Sequence, residues 1–400
     1  MEEIIFHIDV NSAFLSWTAV SLLDAGYGTD IRTVPAIIGG DKEKRHGIVL
    51  AKSIPAKRYG IETAEPVAGA LKKCPDLLVF PPDFHLYSTM SHYLMDYLHG
   101  FTDDIEQASI DECYLYYTPI MHKYGDPIAF ANTIRQAVYK QYGFTVNIGI
   151  SDKKVLAKMA SDFTKPDKTH TLFSWEIKEK MWSLPVRDLF LCGKSAAARL
   201  NTLGIFTIGE LACTDKKILT DNLKSHGITL WEFANGIDDS KVHKEHAEAK
   251  GIGNSTTSEH DVVDGPEAEE ILYELCESVS HRLHKGGFLT SNITVEIKYT
   301  DFKSYSKQCP TDSPIYTTKA LHEYAVKLFY ALWTREPIRL LGVRATKLTS
   351  EDEPVQLSIF DIKNPAVLRQ DSEKQIALEA ALSDIRKKYG YESVKKGRIT

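Results

Sequence analysis

The sequence predicts an α+β chain of several domains, and three observations carry that expectation. Up to residue 170, short apolar strands alternate with amphipathic helices and hairpin signals, which favours an antiparallel sheet over a doubly wound parallel one. From Leu184 to Ile237 the pattern changes to short helices broken by Gly turns. Beyond a polar stretch, Asp238 to Lys250, come alternating basic strands such as SNITVEIKYTDF and RLLGVRATKL.

Each element has its own signal. Ile4 to Val10 is a short apolar strand ending in a carboxylate, and Ala13 to Ala25 reads as helix. TVPAIIGG and GIVLA are strand-like runs around a charged turn. Pro81 and Pro82 lead into a helix from about Tyr87 to Phe101. ASIDECYLYY reads as a strand pair or strand end, IAFANTIRQAVYKQYG as an amphipathic helix, and FTVNIGIS as a strand. A helix from Lys154 to about Phe163 follows. RDLFLCGKSAAARLNTLGIFTIGELA resembles helix-hairpin-helix repeats, whose hairpin amides can hold a DNA phosphate; Gly193 and Gly204 would sit at those turns. Cys192 stands where such a hairpin usually has Gly, so Gly193 alone is expected to supply the left-handed turn.

Composition narrows the class. With 400 residues, 43% hydrophobic and 26% charged, the chain is neither disordered, collagen-like nor coiled-coil. No run approaches the roughly 18 apolar residues that span a bilayer. The start, MEEIIFHIDV, is acidic and short in its apolar run, so no secretory signal is read and a cytoplasmic protein is expected. The six cysteines lie far apart with no C-x-x-C pair, which argues against zinc or a disulfide framework. No G-x-G-x-x-G, Walker or H-E-x-x-H motif occurs.

Charge is unevenly spread. The net −6 excludes a uniformly basic nucleic-acid coat but not a local basic surface. Ser255 to Ser280 holds eight acids and no Lys or Arg, expected as the solvated face of a helix over Ile271, Leu272, Leu275 and Val279. His281 to Lys347 holds eleven Lys and Arg against five acids, a surplus of 11 − 5 = 6. Such a sheet suits a phosphate backbone, though a merely solvated face explains the charge equally well.

Asp9 ends the first strand, and Asp111 and Glu112 stand together a hundred residues later. Carboxylates from separate strands can gather two Mg²⁺ ions, since hard cations prefer oxygen. Neighbours on a strand face opposite ways, so Asp111 and Glu112 can both serve only at a strand end or turn. Acidic dipeptides at turns are common, and chemistry alone leaves the choice open.

The surrounding segments decide the expectation. HIDVNSAFLSW, GIVLAKSIPAKRYGI, SIDECYL and GISDKKVLAKMASDFTKP, followed by LGIFTIGELA, GIGNSTT and QLSIF, resemble the Y-family translesion DNA polymerases in order and spacing. The likeness covers nearly the whole chain, and LAKSIPAKRYGI looks more like the UmuC type than the DinB type.

The resemblance implies a right-hand polymerase. Residues 1–12 and 80–170 would be an antiparallel palm, 13–79 small fingers, and 171–239 a helix-hairpin-helix thumb. A linker, 240–253, would precede an α/β little finger at 254–350, with a clamp-binding motif and tail at 351–400. It implies that Asp9, Asp111 and the Val10 carbonyl bind two Mg²⁺ ions, or Mn²⁺, with Glu112 the third catalytic carboxylate near the primer 3′-hydroxyl. Phe14 would be a steric gate against ribose, or else an ordinary core Phe. Ser12 and Ala13 amides, Lys165 and Lys57 would meet the dNTP triphosphate; where the DinB pattern has Thr, Tyr and Arg, this chain has Ala51, Ile54 and Lys57. Lys57 keeps the charge but loses Arg's fork. Lys298, Lys303, Lys307, Arg339, Arg344 and Lys347 would grip primer–template DNA. Gln356, Leu357, Ser358, Ile359 and Phe360 resemble the motif that binds the bacterial sliding clamp, with packing against the tail helix as the alternative; UmuD-like accessory subunits are a further partner of the type. The activity implied is low-fidelity translesion synthesis by two-metal chemistry. A catalytically weak DNA- and clamp-binding relative, or a palm-fold nucleotidyl cyclase, are the competing readings.

Overall fold

The architecture comes from a computed structural model, which describes residues 3–40, 47–244 and 249–350 together with 381, 385 and 388. The chain divides into two units, Met1–His246 and Ala247–Thr400.

The first unit opens with β1 (Ile5–Val10), whose six residues are all buried. Its two faces differ. Phe6, Ile8 and Val10 enter the main apolar core, while Ile5 joins a second cluster with Tyr114 and Ala157. By strand alternation His7 and Asp9 share the face of Ile5. Helix α1 (Ala13–Asp24) follows, with Leu15, Trp17 and Ala19 in the main core. The segment up to residue 80 then folds β2 (Ala36–Gly39), β3 (Val49–Lys52), α2 (Ile54–Lys57), α3 (Val67–Lys73) and β4 (Leu78–Phe80). These make a three-stranded sheet, β3-β2-β4, over a small core of its own that includes Ile37, Val49, Ile61 and Val67. Because α1 packs in the main core, the expected palm–finger boundary at residue 12 passes through that core.

The chain returns through α4 (Phe84–His99), capped by Asp83, which accepts from the Leu86 amide at 3.0 Å. Next come β5 (Ile105–Gln107), β6 (Glu112–Tyr116), α5 (Met121–Tyr124) and α6 (Pro127–Tyr142). Then β7 (Val146–Ser151), α7 (Lys154–Asp162) and β8 (Thr169–Thr171) complete a five-stranded sheet, order β5-β6-β1-β7-β8. Every pairing in it is antiparallel except β7 with β8, in line with the antiparallel expectation. Helix α7 lies against β7 and β1 and is buried from Lys154 to Ser161. Its approach needs Gly149, where an added Cβ would stand 2.0 Å from the Ala157 carbonyl oxygen and 2.5 Å from the Ser161 amide nitrogen.

Short helices follow as expected: α8 (Ile177–Lys180), α9 (Lys194–Thr202), α10 (Ile208–Ala212) and α11 (Lys216–Ala234). Gly204 takes left-handed backbone, with φ 78°. Gly193 does not. It is the extended cap of α9 with φ −68°, and Leu191 supplies the left-handed turn at φ 66°. The chain reverses two residues earlier than the Gly pattern suggests, and Gly is acceptable as an N-cap on other grounds.

In the second unit β9 (Gly251–Val262), α12 (Gly265–Lys285), β10 (Phe288–Tyr299), β11 (Ser304–Ile315), α13 (Thr318–Leu332) and β12 (Ile338–Ser350) form an antiparallel sheet, order β11-β10-β12-β9. Both helices pack on one face, over Ile293, Val295, Ile297, Leu341, Val343 and Ala345. Two expectations change here. The acidic run is not all helix, because Glu259 and Asp261 lie on β9 and the helix starts only after its Asp264 cap. The linker ends before Gly251, which already pairs with Thr346.

Candidate active site

The β1–β6 register sets Asp9 opposite Glu112. Residues opposed across an antiparallel pair share a face, so both carboxylates point to the side covered by α7. Asp111 precedes β6 in the turn, which removes the alternation problem: its carbonyl accepts from the Val10 amide at 3.0 Å, and Ser109 Oγ donates to its Oδ1 at 2.7 Å. Asp9 and Glu112 are thus brought together, with Asp111 beside them on the turn. Among the described residues, no three His, Cys, Asp or Glu side chains converge as a ready metal cage.

Lysines occupy the space between. Lys165 bonds Asp9 and lies 2.9 Å from Asp162. Lys158 bonds Glu112 and lies 3.8 Å from Asp9 and 3.6 Å from Asp162. Burial pushes the Asp9 carboxyl up to about 7, and the two lysines pull against that rise. Burial also opposes the Lys165 charge, yet Asp9 and Asp162 outweigh it and hold the ammonium above its ordinary value. Beneath them His7 is fully buried, with Nδ1 2.8 Å from Ser161 Oγ and Nε2 3.9 Å from Glu112. Burial, then the charges of Lys158, Lys165 and Lys154, keep this imidazole well below its usual pKa, hence neutral.

Phe14 is half-buried. Its ring stacks on Tyr87 at 4.3 Å and 7°, and Phe84 meets it edge-on at 6.1 Å. Thr18 fixes the backing ring through a 3.1 Å bond to the Tyr87 hydroxyl. Ser12 is exposed in left-handed backbone, φ 48°, directly before α1. The first amides of a helix have no intrahelical acceptor, so Ser12 and Ala13 stand where an anion would be met. Lys57 is exposed in the last turn of α2, and Ala51 lies on β3.

The six basic residues expected to grip DNA are not on one face. Lys298 and Arg344 alternate with the buried Ile297, Val343 and Ala345, so they face away from the helices. Lys307 opposes Val295, which puts it on the helix side. Lys303 is in the β10–β11 turn, 2.9 Å from Asp301. The Arg339 guanidinium lies over the Phe302 ring at 4.8 Å, and Lys347 takes left-handed backbone. Gln356 to Phe360 lie outside the described residues.

Sequence reasoning missed Lys158, His7 and the pair formed by Lys154 with Glu106 at 2.7 Å. A signal existed: Lys154 and Lys158 fall four apart, on one face of a helix otherwise apolar enough to be core.

Similarity to known proteins fits this geometry. The impB/mucB/samB family matches residues 8–162, and the C-terminal domain of that family matches 249–359. A Clostridium acetobutylicum protein named DNA polymerase IV is 48% identical over 390 residues, 98% of this chain and 96% of that protein. One of the same name from Acetivibrio thermocellus is 35% identical, with 99% and 97% covered. The solved structure of a Y-family DNA polymerase chimera superposes with a TM-score of 0.74 at 22% identity, over 87% of this chain and 99% of that one. No described helix is long and apolar enough to cross a membrane.

Proposed function

The chain belongs to the impB/mucB/samB family of Y-family DNA polymerases, and from that premise we propose that it extends primers past damaged template bases with low fidelity. The observation that carries this reading is the pairing of Asp9 with Glu112 at one end of the palm sheet, with Asp111 on the adjoining turn.

The donor set fits hard divalent cations. It consists of oxygens from Asp9, Asp111, Glu112 and the Val10 carbonyl, and the ammonium groups of Lys158 and Lys165 already rest on these carboxylates. Bound there, Mg²⁺ or Mn²⁺ supplies charge neutralisation of the triphosphate and a lowered pKa for the primer hydroxyl. The chain's own residues do the positioning. Lys165, part-exposed beside Asp9, would meet a triphosphate, and the amides at the start of α1 would offer it donors. Lys57 adds a single charge. Phe14, backed by Tyr87 and Phe84, would exclude a 2′-hydroxyl by contact.

Primer–template binding is assigned to the thumb hairpins and to the helix-free face of the little finger. Clamp binding through Gln356–Phe360 rests on sequence alone, and UmuD-like subunits on the UmuC-type likeness of the finger segment. Extension of a primer across an abasic template site by the purified chain tests the proposal. Insertion opposite the site, with Mg²⁺ and each dNTP, is expected; complete arrest there with normal extension on undamaged template would restrict the enzyme to ordinary synthesis.

A further inference from the structure

Two lysines serve the carboxylate pair, and their settings differ. Lys165 is about one-third exposed, on the turn after α7, while Lys158 is 9% exposed in the middle of that helix. Lys158 is buried among packed groups and three carboxylates. Its neighbours Val155, Leu156 and Met159 are core residues, its carbonyl accepts from Ser161 Oγ at 2.8 Å, and α7 approaches β7 closely at Gly149. The Lys158 ammonium rests on Glu112 inside the packed face of α7, whereas Lys165 reaches Asp9 from a part-exposed turn.

We propose that Lys158 is a positioning residue: a permanent internal counter-ion that aims Glu112 and holds Asp9 and Glu112 in place together before any divalent ion arrives. Two carboxylates facing each other on adjacent strands repel, and in a buried setting that repulsion is poorly screened. The ammonium lies against Glu112 and 3.8 Å from Asp9, so it offsets the repulsion in the free protein. The same charge opposes an arriving dication and competes for its oxygens. Lys158 therefore weakens cation binding by the free protein while fixing the geometry that synthesis needs. This inference rests on the reading of Asp9 and Glu112 as cation ligands.

Mn²⁺ binding to the purified full chain, followed by electron paramagnetic resonance at pH 8.5, separates the possibilities. Lys158→Met should bind Mn²⁺ at least about threefold more tightly than wild type yet extend primers about tenfold more slowly at saturating Mn²⁺, while Lys158→Arg stays near wild type in affinity. A merely structural lysine would not tighten a site on removal. Lys158→Gln replaces the Met variant if that one does not fold. Unchanged or weaker Mn²⁺ affinity in the charge-removing variant, with Asp9→Asn abolishing binding, would overturn the role of Lys158 alone. Wild-type Mn²⁺ binding in Asp9→Asn would overturn the ligand reading, and this proposal with it.

Discussion

Phe14 is a packing residue that also reaches the surface, as the gate proposed for it requires. It is packed against the main apolar cluster, but stacking on Tyr87 and the edge of Phe84 leave it half-exposed rather than enclosed. Phe14→Val should raise ribonucleotide over deoxynucleotide incorporation about tenfold, roughly 1.4 kcal/mol of lost discrimination. Competition assays with paired rNTP and dNTP measure this, and an unchanged ratio would leave Phe14 a packing residue only. Asp9 makes a pH prediction with a definite sign. Burial raises its carboxyl to about 7, so below that pH a proton occupies the oxygen a cation needs, and above it the site is anionic. Mn²⁺ affinity of the free protein should climb by about tenfold per pH unit up to about 7 and level off beyond. Isothermal calorimetry from pH 5.5 to 8.5 would show a flat profile if Asp9 were not a ligand.

At the scale of elements, the alternation of strands sorts function from core. In β1 the even positions are apolar core and the odd ones, His7 and Asp9, face α7; in β6, Cys113 and Leu115 enter the main core while Glu112 and Tyr114 face the other way. That sorting was legible in the sequence at Asp9, because a carboxylate ending an apolar strand is conspicuous. It was not legible at His7 or Lys158, whose meaning depends on contacts made across 154 and 46 residues of chain. The left-handed turn at Leu191 was likewise hidden, since nothing in a Leu side chain signals it. The basic strands give the reverse case, where composition was plain but register decided the faces. Arg344, exposed on the helix-free face opposite Thr294, should contact a phosphate, whereas Lys307 shares the face of Val295. Arg344→Ala should lower the slope of log affinity against log salt by about 0.9, and Lys307→Ala should leave it unchanged. Equal losses from both would mean that DNA does not follow the helix-free face.

At the scale of the molecule, the chain divides into Met1–His246, which holds the Asp9–Glu112 pair, and Ala247–Thr400, which holds the basic sheet. The boundary falls inside the polar stretch that the sequence marked as a linker. The carboxylates on β1 and the β6 turn are proposed to hold the cations of nucleotidyl transfer, with DNA gripped elsewhere. Single-turnover primer extension by the full chain, with wild type, Asp9→Asn and Asp111→Asn compared at saturating primer–template, tests that assignment most directly. The rate of both variants should fall about a thousandfold, roughly 4 kcal/mol, with primer–template affinity kept within about threefold. Extension by either variant at a rate near wild type would contradict it.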